Sequence, residues 1–150
     1  MGIFVIMEEE KVVLVDLQDQ QLGIMGKMEA HEKAELHRAF SVFILNSNGE
    51  LLLQQRAREK YHSPGLWTNA CCSHQREGES NLEAGKRRLM EEMGMTVTLQ
   101  ELFFFIYKAS FDNGLTEHEL DHVMLGYSDE DPKINTDEVA AFKWVPIDVL

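Results

Sequence analysis

The sequence predicts one α+β domain, and two observations carry that prediction. Several short segments rich in β-branched, aromatic and aliphatic residues are spread along the chain and closed by Gly, Asn, Asp or Pro signals. Among them lies one segment with strong helical periodicity, capped by a polar residue and stopped by a glycine. Strands of mixed spacing around one clear helix suit an α+β layer. The chain has 150 residues, which is the size of a single domain able to bury roughly 68–70% of its unfolded surface. No repeat or linker divides it.

Val12 to Leu17 is apolar and largely β-branched, and reads as the first strand. Gly23 to Met28 follows as a short edge piece carrying Lys27. Ala30 to Leu36 is polar and helix-tolerant, framed by His31 and His37. Ala39 to Leu45 is a strong strand, Asn46-Ser47-Asn48-Gly49 a turn, and Leu51 to Gln55 the returning strand of a hairpin. Arg56 to Tyr61 is basic and is broken by Ser63-Pro64-Gly65. If Trp67 to His74 runs extended, Cys72 and His74 share a face and Cys71 points the other way. Gly78 makes a turn, Ser80 or Asn81 caps a helix from about Leu82 to Met93, and Gly94 ends it. Leu82, Leu89 and Met93 form its core face, while Arg87–Glu91 and Arg88–Glu92 are i,i+4 pairs. Thr96–Leu99 and the aromatic strand Leu102 to Lys108 come next, with Phe103, Phe104 and Phe105 expected in the core. Asp112-Asn113-Gly114 turns the chain into Glu117–Tyr127. Val139 to Val145 is the last strand, and Pro146-Ile147-Asp148 opens another helix.

Composition narrows the function. A formal charge of −12 argues against a general nucleic-acid or anionic-membrane binder. The apolar start, Met1 to Met7, is too short to span a bilayer, lacks a basic flank and runs into Glu8-Glu9-Glu10, so no signal peptide is expected. Ile6 occupies the position where myristoylation wants Ser or Thr. Adjacent Cys71 and Cys72 would form a strained disulfide, and two free thiols suit a reducing, cytoplasmic setting.

The chemistry-bearing residues are unevenly placed. On a strand, Glu117, Glu119 and Asp121 share a face, and neighbouring carboxylates repel unless a proton or cation lies between them. His31, His37 and His74 would complete a mixed N/O set suited to a divalent transition metal or, loosely, Mg²⁺.

Aligned on Gly94, the segment Trp67–Gly94 resembles the Nudix loop–helix: Gly, five residues, Glu, seven residues, then Arg-Glu-aliphatic-x-Glu-Glu-x-Gly-aliphatic. The chain supplies Glu79, Arg87, Leu89, Glu91, Glu92, Gly94 and Met95. It departs with Ser73 in place of the first Gly and Arg88 in place of the first Glu of the Arg-Glu pair. Nudix hydrolases use that Glu to hold metal, so Arg88 points towards binding a diphosphate without cleaving it. Trp67-Thr68-Asn69-x-x-Cys72-x-His74 and Glu117-His118-Glu119 resemble one branch of the superfamily, the type I isopentenyl-diphosphate isomerases.

The resemblance, from about Lys27 to the last residue, implies a Nudix fold, a mixed sheet with helices packed on its faces. It implies interconversion of isopentenyl and dimethylallyl diphosphate by protonation and deprotonation through a carbocation. Cys72 and Glu119 would be the proton carriers, with Tyr107 bonded to Glu119. In that reading Glu119 protonates the alkene and a Cys72 thiolate, which needs a cation nearby, takes the second proton. Lys27, Arg56, Lys60 and Arg88 would hold the diphosphate. His31, His37, His74, Glu117 and Glu119 would hold one metal (Mn, Mg or Zn), and Glu92 would meet a Mg²⁺ carried by the substrate. The small prenyl diphosphate is the expected partner, with no nucleic acid or membrane. Family members continue with C-terminal helices that cover the pocket, which a single domain of residues 1–150 would lack. A Nudix diphosphohydrolase and a non-catalytic metal-binding domain are the alternatives.

Overall fold

The computed structural model describes residues 10–57 and 65–149. In chain order the elements are β1 (Lys11–Val15), β2 (Gln21–Gly26), α1 (Lys27–Lys33), β3 (His37–Leu45), β4 (Glu50–Arg56), β5 (Trp67–Asn69), β6 (Cys71–Ser73), α2 (Asn81–Met93), β7 (Leu99–Ser110), β8 (Thr116–Tyr127) and β9 (Val139–Pro146). A 3-10 turn, Ile147–Val149, follows where another helix was expected.

Strand β3 is the axis of the sheet. One edge pairs in parallel with β8, His37–Leu45 against Glu119–Tyr127. The other edge is shared: His37 meets Leu14 of β1, Phe40–Val42 meet β6, and Leu45 meets Leu51 of β4. The expected β3–β4 hairpin therefore closes only beside its turn. There Asn46 Oδ1 accepts the amides of Asn48 and Glu50 at 3.1 and 2.9 Å, after which β6 takes the edge of β3. β4 leaves to lie between β5 and β9.

Residues opposite one another in register point to the same face. Phe40, Val42 and Ile44 of β3 and Met124 of β8 are buried with Leu89 and Met93 of α2, and Leu82 packs against the same cluster. This is the core face predicted for the helix. Close approach is built in: a Cβ on Gly85 would lie 2.8 Å from Met124 Cε.

Helix α2 is fixed at both ends. The Ser80 side chain accepts the Glu83 amide at 3.1 Å and the Glu83 carboxylate accepts the Ser80 amide at 3.1 Å, a reciprocal capping box. Gly94 closes the helix at φ +61°, and a Cβ there would lie 2.5 Å from the Lys133 carbonyl oxygen. Gly94→Ala combines a left-handed-conformation cost of about 1–2 kcal/mol with a backbone clash. It should therefore lower stability in urea titration by more than Ser80→Ala, which is expected to cost about 1 kcal/mol.

Two expectations are corrected. Lys27 is not on an edge strand: β2 ends at Gly26, and Lys27 is the first residue of α1. Phe103, Phe104 and Phe105 are not core, being 59%, 46% and 44% exposed. An aromatic run reads as buried on both faces, but β7 pairs only with β8 among the described strands, and of its residues only Leu99 belongs to the core cluster beneath α2. Residues 95–98 form no strand. Instead Val97 is buried where a Cβ on Gly126 would lie 2.7 Å from it. No helix among the described residues is long and apolar enough to cross a membrane.

Candidate active site

The sheet register assembles the site. Tyr107 of β7 lies opposite Glu119 of β8, and Glu119 opposite His37 of β3, so three strands send three polar side chains to one face in a single row. Ser41 lies four residues further along β3 than His37, opposite Cys72 of β6. Thus β6 and β8, on the two edges of β3, place Cys72 and Glu119 on either side of it. Both open into a pocket of about 370 Å³, which Tyr107, His31 and His74 also line.

Four ligand atoms, one each from His31, His37, His74 and Glu119, lie within 4.8 Å of one another. His31 comes from α1 and accepts its position from its own helix, its Nδ1 lying 2.8 Å from the Lys27 carbonyl. His37 Nδ1 lies 2.9 Å from the Glu35 carbonyl. A carbonyl only accepts, so each Nδ1 carries the proton and each Nε2 is turned to the cluster. His37 Nε2 meets Glu119 Oε2 at 3.1 Å, and His74 Nε2 meets the same oxygen at 2.7 Å. Facing lone pairs would not approach so closely, and a proton or a cation must lie between them. Burial, with His37 and His74 adding to it, pushes His31 down to about 4, and burial also lowers His74. Three imidazoles, two of them held neutral, and one carboxylate fit a divalent metal ion.

Glu119 is almost fully buried, which alone would raise its pKa, but the hydrogen bonds from His37 and His74 hold it well below the usual carboxylate range. Its other oxygen accepts the Tyr107 hydroxyl. Burial and the two nearby carboxylates, Glu119 and Glu117, raise the Tyr107 pKa strongly, so Tyr107 keeps its proton. Glu117, expected as a fifth ligand, lines the same pocket, with Oε2 2.6 Å from the Tyr107 hydroxyl oxygen, so the two carboxylates share that hydroxyl's single proton. Glu117 is not one of the four clustered ligands.

Cys72 has neutral polar neighbours. Its thiol donates to Asn69 Oδ1 at 3.1 Å, and Ser41 Oγ and Thr68 Oγ1 lie 3.7 and 3.9 Å away. Burial pushes it up to about 11, so the resting group is a thiol. The cation that a thiolate would need is not among these contacts. Behind Ser41 stands Asp121, whose Oδ2 accepts the serine hydroxyl at 2.8 Å. Asp121 Oδ1 is buried with no partner among the described residues. Burial, opposed by the Ser41 bond, raises Asp121 to about 7. Ser41 was not singled out from sequence, and Asp121 was noted only for sharing a face with Glu117 and Glu119. The i, i+2 alternation along β8 was the available signal.

The same pocket also carries the residues expected to bind the anion. Lys27, Arg56 and Arg88 line it, as do Glu10, Glu92, Glu117, Glu119, Asp121 and Glu138. Lys60 falls outside the described residues. Lys27 Nζ lies 3.5 Å from Glu10. Arg88 is set among three carboxylates, 3.3 Å from Glu91, 3.3 Å from Glu92 and 3.5 Å from Glu138. Arg87 faces elsewhere: it bonds Glu79 at 2.8 and 3.0 Å and the His74 carbonyl at 3.1 Å, stapling the loop that carries His74 to α2. Trp67 lines the pocket with Lys143 Nζ 4.1 Å from its ring centroid.

Comparison with known proteins places the sequence and the fold. A NUDIX domain model matches residues 35–150. An isopentenyl-diphosphate Delta-isomerase of Pectobacterium atrosepticum is 55% identical over 92% of this chain and 77% of its own length. Isopentenyl-diphosphate Delta-isomerase 2 of Aromatoleum aromaticum is 49% identical over 93% of this chain and 74% of its own. Among solved structures, the DR0079 protein of Deinococcus radiodurans superposes with a TM-score of 0.75 at 22% identity, covering 91% of this chain and 83% of that one, a likeness of fold alone. The chain belongs to the NUDIX family, and within it to the isopentenyl-diphosphate Delta-isomerases.

Proposed function

We infer that the chain interconverts isopentenyl diphosphate and dimethylallyl diphosphate. The observation that carries this is the convergence of Cys72, Glu119 and Tyr107 on one pocket beside the three-histidine cluster. Moving the double bond requires a proton added at the terminal carbon and another removed from the carbon on the far side of the tertiary centre. The two carriers must be placed independently and shielded from water. Cys72 and Glu119, on the two edges of β3, meet that requirement. Each is the acid in one direction and the base in the other. In the resting state the thiol holds its proton and Glu119 is ionised, with the Tyr107 hydroxyl the nearest proton to Glu119 Oε1. Using Glu119 as the acid towards dimethylallyl diphosphate therefore requires protons to be redistributed when substrate binds.

His31, His37, His74 and Glu119, with Glu117 at the margin, would hold a divalent ion (Mn, Mg or Zn), which when bound stabilises negative charge on Glu119. The diphosphate would lie towards Lys27, Arg56, Lys60 and Arg88. Six carboxylates line the pocket against three cations among the described residues, so the anion should enter with Mg²⁺, which Glu92 would meet.

The hydrolase reading needs metal carboxylates along α2, and there Arg88 puts a guanidinium among Glu91, Glu92 and Glu138. The test is ³¹P NMR and an orthophosphate assay on isopentenyl diphosphate incubated with the protein, Mg²⁺ and Mn²⁺. Dimethylallyl diphosphate without orthophosphate is expected. Orthophosphate release without isomer would overturn the inference in favour of hydrolysis.

A further inference from the structure

We infer that Cys71 is a positioning residue, its buried thiol fixing the Glu92 carboxylate in the orientation from which that group meets the divalent cation accompanying the diphosphate. This rests on the role proposed above for Glu92. Strand β6 delivers its two cysteines to opposite faces. Cys72, in register with Ser41, faces the reacting end, whereas Cys71, in register with Val42, faces α2. There its Sγ donates to Glu92 Oε2 at 3.0 Å, while Arg88 Nη2 lies 3.3 Å from Oε1. Glu92 is thus held from both oxygens, by the core on one side and by a pocket arginine on the other.

A fully buried cysteine is ordinarily a small hydrophobe, but a buried carboxylate needs donors on the side that water does not reach. Glu92 is 3% exposed and still lines the pocket. Arg88 lines the pocket and divides its contacts among Glu91, Glu92 and Glu138, so a bound diphosphate would compete for it. The Cys71 bond does not compete with the substrate and keeps Glu92 oriented as Arg88 changes partner.

The test uses isopentyl diphosphate, a saturated compound that cannot isomerise, titrated calorimetrically against the whole chain at several Mg²⁺ concentrations. Cys71→Val keeps a small apolar side chain, slightly larger than cysteine, and removes the donor. It should weaken the Mg²⁺-dependent part of binding by roughly 10–100-fold, the usual loss when a ligand's outer partner is removed. Cys71→Ser restores a donor and should recover most of that loss. The infrared S–H stretch assigned to Cys71 by its loss in Cys71→Val should shift in Glu92→Gln. Unchanged Mg²⁺ dependence in Cys71→Val, alongside a loss in Glu92→Gln, would overturn the inference and leave the role of Glu92 standing. No rescue by Cys71→Ser would show that Cys71 acts through packing, and would overturn it too. Unchanged Mg²⁺ dependence in Glu92→Gln would remove the proposed role of Glu92, and this inference with it.

Discussion

Glu119→Gln should lower isomerisation by about 10²–10⁴-fold, the range expected for a positioned acid–base group, and should also strip the metal site. The side chain does two things at once. One oxygen faces His37 and His74 Nε2, and the other accepts the Tyr107 hydroxyl. The amide keeps the shape but loses the charge, and can present an N–H only where an acceptor exists. Metal content after dialysis should fall with kcat. By contrast, Tyr107→Phe should reduce kcat while the metal stays bound, because Tyr107 is not one of the clustered ligands. A Glu119→Gln protein with normal metal content and normal kcat would remove Glu119 from both roles.

Cys72→Ala should produce a comparable loss of kcat, again about 10²–10⁴-fold, by a separable route. The thiol contacts Asn69, Ser41 and Thr68 and none of the clustered metal ligands. Metal content and the affinity for isopentyl diphosphate should therefore be retained. Cys72→Ser should restore little, since a hydroxyl is a much weaker acid than a thiol. Parallel loss of metal and diphosphate binding in Cys72→Ala would mean that the residue supports the pocket and carries no proton.

Much of this is legible in the sequence, for identifiable reasons. The capping box at Ser80, the stop at Gly94 and the helical face of Leu89 and Met93 are local signals, set by a few neighbouring residues. The opposed faces of Cys71 and Cys72 follow from strand alternation alone. The motif around Trp67–His74 pointed to Cys72 and His74, and Glu117-His118-Glu119 pointed to Glu119. What sequence could not supply was the division of the β3 edge among β1, β6 and β4, because that pairing is decided by contacts distant in the chain. The same cause hid Ser41, whose bond to Asp121 spans two strands, and the Cys71–Glu92 bond, which joins a strand to a helix twenty-one positions later. The aromatic run in β7 misled because hydrophobicity reports what prefers burial, whereas exposure depends on which element covers the strand.

The most direct measurement of the central claim is incubation of the protein with isopentenyl diphosphate in D₂O, followed by ¹H and ²H NMR. Dimethylallyl diphosphate carrying deuterium in a methyl group, formed by the unaltered chain and absent with Cys72→Ala and with Glu119→Gln, is the predicted result. Deuterated product formed at the same rate by either variant would contradict the assignment of Cys72 and Glu119 as the two proton carriers.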